Sequence, residues 1–145
     1  MKALSRTLLA VACAAALGAC STMDHMMHSS GSQHVSLTGA NEVPPVQTAA
    51  SGDGTVTVNP DHTVKVDLTV TGMQPTAAHI HEGAAGKNGN VIVPLTKEGD
   101  NRFVSPPNAK LTDEQYEAYK AGNLYVNVHS AQHKGGEIRA QLSGG

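Results

Sequence analysis

Three histidines lie in two segments whose sequence alternates between apolar and other residues, as β-strands do. His79 and His81 flank Ile80, so they share one face of a strand while Ile80 points to the other. His129 ends Leu-Tyr-Val-Asn-Val-His, on the face opposite the apolar residues. If the two strands are neighbours, three imidazoles converge on the outer face of the sheet. Imidazole is a good ligand for both copper and zinc, so this pattern predicts a metal site.

Further groups can complete such a site. His133 follows in a predicted turn and is a candidate fourth ligand, while Glu82 and Glu137 are candidates for orienting the imidazole rings. The alternative is that all of these are ordinary exposed side chains on a sheet surface. The sequence leaves both interpretations open.

A second possible metal-binding segment precedes the predicted strands. Residues 21–33 lack any periodicity and are typical of a flexible tether. Within them, thioethers and imidazoles cluster unusually closely, and this combination favours soft Cu(I). The possible ligands are Met23, His25, Met26, Met27 and His28.

The N-terminus is typical of an export signal. Lys2 and Arg6 precede a short uncharged stretch, residues 7–17, that is too short to cross a bilayer. Leu-Gly-Ala-Cys20 then resembles the lipobox of bacterial lipoproteins, which implies cleavage after residue 19 and acylation of Cys20. We therefore expect a signal peptide at 1–19, a lipidated tether at 20–33 and a domain at 34–145. The expected partner is the membrane, through the lipid anchor, and Ser21 after the cysteine favours the periplasmic side of the outer membrane.

The remainder of the chain predicts an all-β domain. Val64, Val66, Leu68 and Val70 alternate with polar residues, and shorter segments repeat this pattern between Gly-, Asn- and Pro-rich turns. We expect an antiparallel Greek-key β-sandwich. One short helix is predicted after Thr112, which can form a capping box with Gln115, and Gly122 is its expected end.

Composition excludes several function classes. Without Lys2 and Arg6 the chain has eight basic and twelve acidic residues, a net charge of about −4, and no basic stripe, which argues against nucleic acid as a partner. Only Cys13 and Cys20 are present, so the domain has no thiol nucleophile and no disulfide. No catalytic motif is present, and Glu42, beside two prolines, is interpreted as a structural acid bonded to backbone.

Residues 37–46, 78–83, 125–130 and 136–142 together resemble the CHRD domain, which was first described in chordin and is common in exported bacterial proteins. The resemblance implies a β-sandwich whose biochemical role is largely unknown. The layout of His79, His81 and His129 is also distantly similar to that of copper/zinc superoxide dismutases, but the bridging histidine and the disulfide of those enzymes have no counterpart here.

These observations favour an envelope-anchored lipoprotein that binds a metal ion without turnover. Copper is the favoured metal and zinc the alternative. A non-catalytic module that contacts a protein or an envelope polymer is the rival hypothesis, and its protein partner is not indicated by the sequence. A dismutase-like enzyme is the third.

Overall fold

The computed structural model describes residues 31–145, so the predicted signal peptide and residues 20–30 of the predicted tether lie outside the described residues. Nine strands, a single 3-10 turn at Gly39–Asn41 and one α-helix, α1, at Asp113–Lys120 make up the fold. The strands are β1 (Gly31–Thr38), β2 (Ser51–Val58), β3 (Val64–Thr71), β4 (Pro75–Glu82), β5 (Asn90–Pro94), β6 (Thr96–Glu98), β7 (Arg102–Val104), β8 (Leu124–Ser130) and β9 (Ile138–Leu142).

All nine strands belong to one antiparallel sheet in the order β5-β4-β8-β9-β1-β2-β3-β7-β6. The strands β1, β2 and β3 follow one another as hairpins while β9 lies beside β1, which is the spatial order of a Greek key. The predicted all-β fold with one short helix is therefore confirmed.

The two edges of this sheet are joined by a single residue. β5 and β6 lie at opposite ends of the strand order, yet only Leu95 separates them in the chain. The Leu95 amide donates a hydrogen bond to the Ala78 carbonyl of β4, 2.9 Å away. The sheet consequently folds over on itself and nearly closes around the apolar core.

The apolar core follows the alternation that the sequence predicts. In β3 every second residue is buried, and Leu68 is fully enclosed. Corresponding residues of the other long strands meet it, for example Ile80 and Val126. In the described residues this core cluster extends from Val35 to Leu142, so strands from both ends of the domain contribute to one core.

The predicted helix and its end are also confirmed. Thr112 Oγ1 accepts a hydrogen bond from the Gln115 amide, and Gln115 Oε1 accepts one from the Thr112 amide, which completes the capping box. Gly122 follows α1 with φ +74°, a left-handed conformation that suits glycine and stops the helix. No helix in the described part of the chain has the length and hydrophobicity needed to cross a bilayer.

Two regions differ from the sequence expectation. Residues 31–33, assigned to the tether, belong to β1, where Gln33 bonds the backbone of Ser143 through both its amide atoms. The second region is the outer face of β8, where the polar residues are expected to be exposed. Every residue of β8 is instead buried, because segments 39–50 and 83–89 cover that face. We call these two segments the covering segments.

Candidate metal centre

The register between β4 and β8 brings the three histidines onto one patch. The two strands are hydrogen-bonded neighbours, with Ala77 opposite His129 and His79 opposite Asn127. Because side chains alternate along a strand, His79, His81 and His129 all project from the face opposite the apolar core. The convergence that the sequence leaves conditional is therefore present in the fold.

The imidazoles are close enough to share one ion. One ring nitrogen from each histidine lies within 4.8 Å of the others, and His79 Nδ1 lies 3.0 Å from His129 Nε2. A tetrahedral ion lies about 2.0–2.1 Å from each nitrogen, which requires nitrogens roughly 3.4 Å apart. Shifts of about 1 Å in the positions of the ring nitrogens would bring all three to this separation. The residues present therefore fit a metal ion.

Backbone carbonyls determine which ring nitrogen of His81 and of His129 carries the proton. His81 Nδ1 lies 3.0 Å from the Gly89 carbonyl oxygen, and His129 Nδ1 lies 2.9 Å from that of Lys134. A carbonyl oxygen only accepts, so each Nδ1 carries the proton and donates it, and each Nε2 keeps its lone pair. The Nε2 of His129 therefore accepts a hydrogen bond from His79 Nδ1, whose proton must move to the Nε2 of His79 before Nδ1 can bind a metal. Carbonyl partners of this kind orient metal-bound histidines in proteins.

Burial disfavours the protonated form of two of the three histidines. His81 and His129 are 7% and 8% exposed, and His79 is partly buried. Burial, together with repulsion from His129 and His81, lowers the pKa of His79 to about 4. Burial also lowers the pKa of His81. A neutral imidazole is the form that binds metal, and burial favours that form at His79 and His81.

His81 is supported by a stack of three side chains. Its ring lies parallel to that of Tyr125 at a centroid distance of 4.7 Å, and the Arg139 guanidinium lies 3.4 Å from the Tyr125 centroid. The Tyr125 hydroxyl accepts a hydrogen bond from the Gly89 amide. Tyr125 therefore contacts both the His81 imidazole and Gly89, the residue whose carbonyl orients that imidazole.

Arg139 fixes the covering segment 83–89. It is 1% exposed, and its Nη2 donates to the Lys87 carbonyl at 2.8 Å and to the Ala84 carbonyl at 3.4 Å. Its Nη1 donates to Asn88 Oδ1. A buried guanidinium needs such partners. Here all three partners belong to segment 83–89, which also carries Gly89, the residue that bonds His81.

Glu42 lies in the same polar layer. It is 4% exposed, and burial raises its pKa although Arg139 and Asn127 favour the charged form. A backbone hydrogen bond from Val43 agrees with the structural role predicted for this acid, but its Oε1 has no partner. A cleft of about 450 Å³ opens beside Glu42 between the covering segments.

The other predicted ligands lie elsewhere. His133 is in the turn after β8, and the cluster of nearby ligand atoms in residues 31–145 does not include it. Glu82 is exposed, and Glu137 accepts a hydrogen bond from Thr48 at 2.6 Å. The tether candidates Met23, His25, Met26, Met27 and His28, together with Cys20, lie outside the described residues.

A cleft of about 680 Å³ lies away from the histidines. It is on the outer face of β2, β3 and β7, where Lys65, Asp67 and Arg102 line it. In residues 31–145 only the histidine cluster brings three metal-ligating side chains together. The histidine patch is consequently the better candidate site.

Sequence reasoning did not single out Tyr125, Asn127 or Arg139 as parts of the site. Their outward positions were readable from the alternation of β8 and β9, but their burial was not. The signal in the sequence for their burial was the Gly-rich connection between β4 and β5, residues 83–89, which is long enough to cover a neighbouring strand.

A family profile, that of the CHRD domain, matches residues 34–142. The chain belongs to the CHRD domain family. The match spans all of the strands from β2 to β9 and includes the three histidines, as the sequence resemblance predicted. Neither a curated protein nor a solved structure matches the chain.

Proposed function

We propose that this CHRD domain binds one metal ion, with copper favoured, through His79 Nδ1, His81 Nε2 and His129 Nε2. The main support is the free Nε2 of His81, which is buried and has no hydrogen-bond partner while Nδ1 donates to Gly89. An unpartnered buried acceptor costs about 1–3 kcal/mol, and a bound metal removes that cost.

The choice of copper rests on ligand chemistry. An all-imidazole site suits copper and zinc, and Cu²⁺ exceeds Zn²⁺ in intrinsic affinity for such ligands. The Met/His cluster in the tether favours Cu(I) and could deliver the ion to the domain. Binding and handling of copper is the function that this arrangement supports best.

The test is a metal titration of residues 31–145, which contain the core described above and lack the Met/His cluster of the predicted tether. We expect a copper dissociation constant of about 1 μM or tighter, or about −8 kcal/mol. His81→Ala and His129→Ala should each weaken binding by at least about 100-fold, more than the loss of an outer hydrogen bond.

His34→Ala is the matched control, because His34 is an exposed histidine on β1 that pairs with Asp53. It should leave the copper affinity unchanged. Identical binding curves for the wild type and a His79/His81/His129→Ala variant would refute the site. A parallel zinc titration decides between the two metals.

The membrane anchor is a separate part of the proposal. We propose that Cys20 is acylated and tethers the domain in the cell envelope; the support is the Leu-Gly-Ala-Cys20 motif after a basic and apolar segment. Metabolic labelling with palmitate tests it in the full chain. Label in the wild type and none in Cys20→Ser is the expected result, and equal labelling of both would contradict the anchor.

A further inference from the structure

Three buried side-chain atoms in residues 31–145 have no hydrogen-bond partner, and all three belong to one polar layer. They are His81 Nε2, Asn127 Oδ1 and Glu42 Oε1. Each unpartnered atom costs about 1–3 kcal/mol, so a cluster of three requires a physical explanation. A metal on the histidines accounts for His81 Nε2 and leaves two oxygen acceptors unexplained.

Asn127 lies beside the proposed metal position. In the strand register it is directly opposite His79 on β4 and Arg139 on β9, and it is 1% exposed. Its side chain lies close enough to His81 to favour the protonated imidazole, yet neither His81 Nε2 nor Asn127 Oδ1 reaches hydrogen-bond geometry. A donor that reaches Asn127 Oδ1 would satisfy this buried acceptor.

The surroundings of Asn127 fix the direction of its amide. Its Nδ2 lies 3.5 Å from the Gly135 carbonyl oxygen, near the carboxyl of Glu42. A Cβ on Gly136 would fall 2.4 Å from Glu42 Oε1 and 2.5 Å from Asn127 Nδ2, so both groups close on that glycine. With acceptors on the Nδ2 side, Oδ1 is the atom that faces the histidines.

We propose that Asn127 Oδ1 accepts a hydrogen bond from a small exchangeable ligand, such as water, in the fourth coordination position of the metal. This inference rests on the proposed function. Three protein ligands leave one position of a tetrahedral ion open. Because Asn127 Oδ1 presents an acceptor to this position, the position favours neutral ligands that donate a proton over anions that only accept.

The test uses azide, an anion that gives a charge-transfer band on Cu(II), and titrates it into copper-loaded domain. In Asn127→Leu, which has nearly the same shape and no acceptor, azide no longer displaces a hydrogen-bonded ligand. Its affinity should therefore rise about 2- to 10-fold. Asn127→Asp adds negative charge and should lower azide affinity by at least about 3-fold.

Asn90→Leu makes the same substitution at an exposed position of β5 and should leave azide affinity unchanged. If Asn127→Leu does not fold, as judged by a lost thermal transition, Asn127→Ala removes the acceptor without added bulk and carries the same expected increase. Equal azide affinities for the wild type and the acceptor-free variant would overturn the proposal.

Two further readouts separate the possible failures. Deuterium modulation in pulsed EPR in D₂O should detect an exchangeable ligand on wild-type Cu(II). Its absence, together with a loss of copper affinity of more than about 10-fold in Asn127→Leu, would mean that Asn127 ligates the metal itself and would overturn the inference. A wild type that binds no copper would instead refute the proposed function.

Discussion

β3 and β8 lie in the same sheet and present the same apolar pattern to the core, but their outer faces differ. In β3 the outward residues Lys65, Asp67 and Thr69 are exposed. In β8 the outward residues Tyr125, Asn127 and His129 are buried under loops. One side of the sheet therefore has a single hydrophobic core, and the other adds a polar layer outside it. The difference shows where the fold encloses polar groups, and the three histidines of the candidate metal centre lie in that enclosed layer.

The largest expected effect is on the free energy of unfolding, when outward residues of β8 and β3 are replaced. Tyr125→Ala should lower the free energy of unfolding by about 3–5 kcal/mol, because it removes a 2% exposed ring packed between His81 and Arg139. Lys65→Ala, at an outward position of β3, should change it by less than about 0.5 kcal/mol. Urea unfolding measures both, and similar values would break the distinction between the two strands.

Arg139→Met should lower the free energy of unfolding by about 2–3 kcal/mol, since it leaves the carbonyls of Lys87 and Ala84 without their charged donor. The loosened segment 83–89 should also weaken copper binding about 10-fold, because Gly89 orients His81. A stability loss with unchanged copper affinity would limit Arg139 to a structural role.

The metal-free domain should lose stability as the pH falls from 6.5 towards 4. The unfolded state protonates His79 near its ordinary pKa of 6.5, whereas burial lowers the folded pKa to about 4. Between these values the unfolded state binds more protons, so stability is complete above pH 6.5 and declines below it. His79→Asn should give a shallower decline in urea unfolding across this pH range. An unchanged slope would show that the imidazole is not buried.

Tyr125→Phe should have the smallest effect, about 1 kcal/mol, because it keeps the stacked ring and removes only the hydroxyl that accepts from the Gly89 amide. Thermal unfolding of Tyr125→Phe beside Tyr125→Ala separates ring packing from this hydrogen bond. Equal losses in the two variants would assign the whole effect to the hydroxyl.

Local sequence patterns were sufficient to predict strands that, like β3, have one buried and one exposed face, and to predict the helix cap. Alternation alone identifies Val64 and Leu68 as core, and Thr112 with Gln115 encodes the capping box locally. It also placed His79, His81 and His129 on one face. Their convergence depended on the pairing of β4 with β8, which are more than 40 residues apart.

The polar layer could not be predicted in the same way. Polar residues at outward positions are normally solvated, so Tyr125 and Asn127 suggest an exposed surface. Their burial depends on loop conformations held by distant contacts, such as Asn88 with Val43 and Arg139 with Lys87. Neither contact leaves a periodic signal, and the Gly-Ser-Gln start of β1 likewise has a linker-like composition.

The direct connection of β5 to β6 through Leu95 has a consequence when many copies of the domain are close together. An open nine-stranded sheet exposes two edges, and unpaired edges allow neighbouring molecules to add strands. Here both edge strands, β5 and β6, are short and run into one another at Leu95, so neither edge offers a long template for another strand. At high concentration the domains should therefore remain separate molecules, without polymerising through their backbones.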